Sequence, residues 1–311
     1  MVVASIHLNN SNGWNWQQFD PQDKHDIKVD CADNWQFKDW LEKCDKRTTD
    51  YTGVRNQGED HALFGSLLYY HDPNQEKTKS FLHYYVTEGY LVTSHFDFSI
   101  YQRTNEQDLM DKLNACTTAQ DALFILIGEI LNSFLEGIDE FEESLRKLQE
   151  ERKKGRNGGE MLDNIINLRY LLLHWTALTL PIQDTLLAAK EAFMDKLESN
   201  VDYQRALLRL ERILTLQKYY EDEMDTLLSI EDNLTNYRGN EIVRALTVFT
   251  VVFIPVSAFG AIWGMNFKHM PELDWEWGYG LSLVWIILFM SMVYLFLRKK
   301  GWTDDLLKRK K

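Results

Sequence analysis

The stretch Ala245–Phe267, ALTVFTVVFIPVSAFGAIWGMNF, decides the fold. Its 23 residues contain no charged side chain. As a helix it is long enough to cross the hydrocarbon core of a bilayer, which takes about 20 residues. A second uncharged run of 21 residues, WGYGLSLVWIILFMSMVYLFL, occupies 277–297. Between the two lies a short connection with one lysine, Lys268, against Glu272, Asp274 and Glu276.

The charges outside these runs set an orientation. Arg238 and Arg244 precede the first span, and Arg298, Lys299 and Lys300 follow the second, with Lys308–Lys311 beyond. Basic residues favour the cytoplasmic side, so the connection is predicted outside and both termini in the cytoplasm. Trp263, Phe267, Trp275, Trp277 and Tyr279 gather at the outer boundary and Trp302 near the inner one, as interfacial aromatics do. Met1–Asn10 does not read as a signal peptide, having no basic segment followed by an apolar core.

The averages conceal this. The chain has 311 residues, a net charge of −13 and 45% hydrophobic residues, which together suggest an ordinary acidic soluble protein. That composition excludes a disordered chain. Three cysteines, Cys31, Cys44 and Cys116, exclude a disulfide scaffold. The acidity argues against a nucleic-acid partner, since a polyanion would be repelled. Split by position, Arg238–Lys311 carries +4 and the preceding body −17.

Residues 1–118 read as a cytoplasmic α/β domain. Strands are expected at Val2–Leu8, Ala62–His71, Ser80–Thr87 and Tyr90–Phe96, the last two joined at Glu88-Gly89. Helices are expected at Asn34–Cys44 and Glu106–Ala115. Residues 119–200 read as an antiparallel helix pair, Ala119–Arg152 and Glu160–Lys196, with Pro181 a kink in the second. The glycine-rich loop between them lacks the residues of a phosphate cradle. Ser199-Asn200 marks a break, with Asn200 as a helix cap. Residues 201–267 form a stalk helix continuing into a first span at about 242–264. The outer loop is 268–278, the second span 279–297 and the basic cytoplasmic tail 298–311. The fold class is therefore an α+β cytoplasmic domain, a long-helix stalk and two transmembrane helices.

Two helices cannot enclose a water-filled path, so several copies would have to do so. A 3-4 step from Asn240 gives Val243, Thr247, Thr250, Ile254, Ser257, Ala261 and Gly264. All three polar residues of the first span between Ala245 and Trp263 fall on this stripe. It suits a helix lining a narrow, partly polar axis. It equally suits hydroxyls bonded to their own backbone and small residues packing helix on helix.

The first span ends in Trp263-Gly264-Met265-Asn266-Phe267, followed by Met270-Pro271-Glu272-Leu273 and, after the second span, Arg298-Lys299-Lys300-Gly301-Trp302. With Asn240-Glu241 at the start of the span, this strongly resembles the CorA family of magnesium transport proteins. Their hallmark is Gly-Met-Asn at the outer end of the first of two C-terminal membrane helices. The match is close over about residues 230–302 and looser before, with Trp263 where Tyr is commoner.

The resemblance implies a funnel-shaped homopentamer in the plasma (inner) membrane, conducting Mg²⁺, with Co²⁺ and Ni²⁺ as further candidates. It places ion entry and selection at Gly264, Met265 and Asn266. Mg²⁺ holds its water tightly and prefers octahedral oxygen ligation. A ring of Asn266 amide oxygens, joined by Gly264 and Met265 carbonyls, would accept the hydrated ion. Met265 itself is expected to be structural, because a thioether suits Mg²⁺ poorly. Asn240 would form a second polar ring, and Val243, Leu246 and Ile254 an apolar constriction that closes by dewetting. Glu272 in the outer loop would concentrate cations. The resemblance also implies Mg²⁺ as a regulatory ligand of the acidic body. Glu221-Asp222-Glu223-Met224-Asp225 is the densest acidic cluster there, though such a run usually forms a solvated helix face.

Two alternatives remain on sequence grounds. A zinc transporter of the same superfamily shares Gly-Met-Asn but generally lacks the MPEL that follows. His71, His83 and His95 lie on or beside predicted strands and read as sheet residues. A membrane-anchored enzyme or signalling protein is the remoter option, and the chain has no HExxH, GxSxG, Walker or CxxC motif.

Overall fold

The computed structural model describes residues 7–9, 13–20, 34–57, 60–71, 79–94, 96, 106–154, 159–266, 268, 270–271 and 275–303. It divides into two units, Met1–Thr226 and Leu227–Lys311.

The first unit is built on a six-stranded sheet. Its strands are β1 (His7–Asn9), β2 (Asn15–Phe19), β3 (Tyr51–Gln57), β4 (Asp60–Tyr70), β5 (Ser80–Val86) and β6 (Tyr90–Ser94). The spatial order is β1-β2-β6-β5-β4-β3. Every neighbouring pair is antiparallel except β2–β6, which runs parallel. β4, β5 and β6 lie within a residue or two of the predicted strands. β2 and β3 were not expected. Gln17 and Gln18 make β2 look polar, yet both are buried in the sheet. β3 is an edge strand that includes Gly53, Arg55, Asn56 and Gln57, residues that do not advertise a strand. Of the predicted Val2–Leu8 strand, residues 2–6 lie outside the described residues, and the strand found begins at His7.

Successive residues of β5 serve opposite faces, as strand geometry requires. Tyr85 joins a core with Phe19, Phe37, Trp40, Phe64 and Val92, against which helix α1 (Trp35–Lys43) lies. Asn34 caps α1 through its side chain, which accepts from the Gln36 N–H. Trp40 donates its indole N–H to the Gly65 carbonyl at 3.1 Å. Tyr84 faces the other way, where its hydroxyl pairs with Thr185 of helix α4 (Gly159–Phe193) at 3.0 Å.

Helix α2 (Glu106–Ala115) matches its predicted span. Helix α3 (Ala119–Lys153) opens with a capping box of Thr118 and Asp121. Gly137 on α3 lies directly under the Trp175 ring of α4, leaving no room for a Cβ. After α4, a 3₁₀ turn (Met194–Leu197) leads to helix α5 (Val201–Trp263). Asn200 caps α5 by accepting from the Tyr203 N–H at 2.8 Å, and its amide donates to Asp121 at 2.5 Å. The starts of α3 and α5 are thereby tied together at one carboxylate.

α5 has 63 residues, which makes it roughly 95 Å long. Within the first unit it is fastened to α3 and α4 by polar contacts. Tyr220 donates to Glu142 at 2.7 Å, Gln149 to Glu223 at 2.5 Å, and Gln217 to Thr179 at 2.9 Å. Arg169 pairs with Asp225. The acidic cluster at 221–225 is thus largely engaged, with Glu221 and Asp222 both on Lys218 and Met224 fully buried.

Gly65 gives a sharp test of the sheet. A Cβ there would overlap the Tyr51 carbonyl and the Tyr84 hydroxyl. Gly65→Ala should cost about 1–3 kcal/mol, as overpacking does, read as a lower denaturant midpoint. Gly89→Ala, where a Cβ meets open space, should be close to neutral in the same titration.

Candidate ion path

The second unit contains the remainder of α5 and helix α6 (Gly278–Lys299). α5 presents three distinct faces here. One face packs on α6: Val248 and Pro255 are buried, and the rings of Phe259 and Phe289 meet edge to face at 5.7 Å. Pro255 lies inside α5, where its ring removes the hydrogen bond to the Val251 carbonyl.

Roughly opposite the packed face lies the predicted stripe. Asn240, Val243, Thr250, Ile254, Ser257, Ala261 and Gly264 are exposed, with Thr247 half-buried at its edge. Leu246 flanks the stripe and is 64% exposed. The third face is bulky, with Ile242, Phe249 and Phe253 exposed and the two phenyl rings 4.6 Å apart.

Both threonines bond to their own helix. Thr247 donates to the Val243 carbonyl and Thr250 to the Leu246 carbonyl, each at 2.8 Å. The hydroxyl hydrogens are therefore committed, and what the stripe offers outward is oxygen lone pairs. That polarity suits a cation.

The helix ends at the tripeptide. α5 stops at Trp263, and Gly264 N–H closes the last turn onto the Gly260 carbonyl at 3.0 Å. A Cβ on Gly264 would come within 2.9 Å of that same oxygen, so glycine permits the tight finish. Met265 N–H bonds the Ile262 carbonyl at 3.3 Å. Asn266 then leaves the helix, exposed, and its carboxamide makes no hydrogen bond to a described residue. Asn240 is likewise exposed and unbonded among the described residues. Glu272 and Phe267 lie outside the described residues, as does Asp274. The aromatics Trp263, Trp275, Tyr279 and Trp285 line a cleft of about 530 Å³ beside the start of α6.

Of the predicted histidines, His83 is buried on β5 and pairs with Ser66 at 2.7 Å. His71 follows β4 and packs against His174. His95 lies outside the described residues. Among the described residues no group of three or more His, Cys, Asp or Glu is placed to hold a metal ion.

An acidic α/β body, a stalk helix that runs unbroken into an uncharged segment, and a second apolar helix form the build of a membrane ion transport protein. The chain belongs to the CorA-like Mg²⁺ transporter family, whose model matches residues 11–299. It is 38% identical to the magnesium transport protein CorA of Bacillus subtilis over 304 residues, covering 96% of this chain and 94% of that one. It is 25% identical to the CorA of Wolinella succinogenes, covering 70% of this chain and 78% of the other. Its fold is similar to that of the CorA magnesium transporter from Methanocaldococcus jannaschii, with a TM-score of 0.63, 18% identity, and 93% and 92% of the two chains covered. The family consists of ion transporters rather than enzymes.

The opposed faces of α5 are testable in membrane vesicles. Ser257→Cys should react with a charged, water-soluble thiol reagent and Val248→Cys should not. A stripe turned to lipid would leave both unreactive.

Proposed function

We propose that this chain mediates passive Mg²⁺ influx across the plasma membrane, as a homopentamer whose α5 helices line the path and whose α6 helices surround it. The observation that carries the reading is the α5 terminus at Gly264-Met265-Asn266, where a carboxamide that bonds no described residue follows a glycine-closed helix end. Five copies of Asn266 form a neutral oxygen ring. Such a ring replaces outer hydration of Mg²⁺ without demanding that the ion shed its tightly held inner water. It carries no fixed charge to trap the ion.

Among the described residues, three helices are long and apolar enough to cross a membrane: α4 with its following 3₁₀ turn (Gly159–Leu197), α5 and α6. α4 is engaged by the sheet through Thr185, by α3 through Trp175 and by α5 through Thr179. We assign the crossings to α5 and α6, with both termini in the cytoplasm and the 268–278 connection outside. Glu272 there is assigned to cation attraction on the family resemblance.

In an assembled ring, neighbouring copies cover the bulky Phe249/Phe253 face, and the stripe is left for the axis. Val243, Leu246 and Ile254, all more than half exposed in one chain, close that axis by dewetting. Bending at Pro255 or tilting of α5 opens it. The driving force is the electrochemical gradient, about 4.6 kcal/mol for a divalent ion per 100 mV. Intracellular Mg²⁺ between acidic bodies favours the closed state by binding it more tightly. Co²⁺ and Ni²⁺ are further cargo. The related zinc-transporter reading is less well supported, since the curated relatives described above are magnesium transport proteins.

In proteoliposomes, Asn266→Ala should abolish Mg²⁺ uptake while the oligomer stays intact in mild detergent. Wild-type flux in that variant would remove the filter assignment. Uptake of Zn²⁺ with none of Mg²⁺ by the unmodified protein would replace the ion, and a monomer in mild detergent would remove the pore.

A further inference from the structure

Among the described residues, the acidic body contains a pocket whose charge runs against its surroundings. It has a volume of about 320 Å³ and lies among α2, α3 and the start of α5. Its charged lining is Lys112, Arg205 and Arg209 against Glu129 and Asp202. Both carboxylates are already engaged. Glu129, buried, takes Lys112 at 3.2 Å and the Asn132 amide at 3.1 Å. Asp202 takes Arg205 at 3.3 Å. Arg209 is half-buried and makes no ion pair or hydrogen bond with any described residue. Among the described residues this leaves one guanidinium of the lining uncompensated, in a body of charge −17.

Arg209 is also held in place. A Cβ on Gly128 would overlap its Nη1, so the guanidinium occupies the space that glycine leaves in the middle of α3. A mid-helix glycine weakens a helix relative to alanine. Here that cost leaves room for an arginine that no described residue neutralises. Arg205 and Arg209 are four residues apart, so they share one face of α5. Lys112 has three donors and uses one on Glu129, so it can serve a ligand without leaving the buried carboxylate. Arg205 is held to Asp202 only by a largely exposed pair, worth little.

We propose that this pocket is a binding site for a phosphate-bearing anion, with Arg209 as the principal contact and Lys112 and Arg205 completing the oxyanion's donors. Guanidinium matches phosphate geometry with paired N–H donors. The volume exceeds what inorganic phosphate needs and reaches the lower end of small-molecule sites, about 300 Å³. A small phosphorylated metabolite fits it. The site lies within the body and stands whether or not the ion path is assigned correctly.

The test is calorimetric titration of the full-length protein with inorganic phosphate and with AMP, in a low-salt zwitterionic buffer free of Mg²⁺. Saturable binding is expected, weakened about tenfold or more by Arg209→Gln, because a charged hydrogen bond contributes about 1.5–3 kcal/mol. Gly128→Ala should weaken binding equally while melting no lower than the wild type, since only a flexible side-chain end is displaced. Arg146→Gln, at an exposed position elsewhere on α3, should bind as the wild type does. Wild-type affinity in either the Arg209 or the Gly128 variant would overturn the proposal. So would the absence of saturable binding of both probes at millimolar concentration.

Discussion

Hydrocarbon offers no partner to a backbone N–H or C=O, and this single constraint governs the second half of the chain. A segment can cross only as unbroken helix, and its irregular backbone must wait until water or protein is available again. α5 obeys this from Val201 to Trp263 and then ends within one turn at Gly264. The Asn266 carboxamide released there falls, in the proposed orientation, at the outer boundary where a hydrated cation would arrive. On the proposed function, the helix end and the selective site are the same physical event.

The same helix explains the polar fastening in the body. A long helix with an apolar stripe needs neighbours to bury it. α3 and α4 supply them, through Ala206, Leu210, Ile213, Tyr220 and Met224 on the buried side of α5. Polar contacts then fix register: Asn200 to Asp121 at its start, Gln217 to Thr179 further along, and Asp225 to Arg169 beyond. Of the acidic run at 221–225, Glu223 and Asp225 are members of this fastening, while Glu221 and Asp222 pair with Lys218 on an exposed face of α5 itself.

Much of the second unit was legible in the sequence because membrane segments announce themselves. Uncharged runs, flanking basic residues and interfacial tryptophans are all one-dimensional signals, and the stripe follows from helical period alone. The family could be read from Gly264-Met265-Asn266 and its flanks for the same reason. The sheet was harder. β2 buries Gln17 and Gln18, and β3 pairs along its whole length with β4 at the edge of the sheet, so neither shows the alternation that marks a half-buried strand. The Gly128–Arg209 seat was invisible as well, because the two residues are 81 positions apart and meet only when α3 and α5 pack. The two threonines of the stripe bond to their own backbone, as one of the two sequence readings has it, with Thr250 exposed and Thr247 half-buried.

On the proposed function, this chain alone conducts Mg²⁺ down an electrochemical gradient. Proteoliposomes holding only the purified protein and an internal Mg²⁺ indicator, with no nucleotide present, test it most directly. An inside-negative potential should accelerate Mg²⁺ entry, and an inside-positive one should suppress it. Uptake indifferent to the sign of the potential, or none at all until nucleotide is added, would contradict the account.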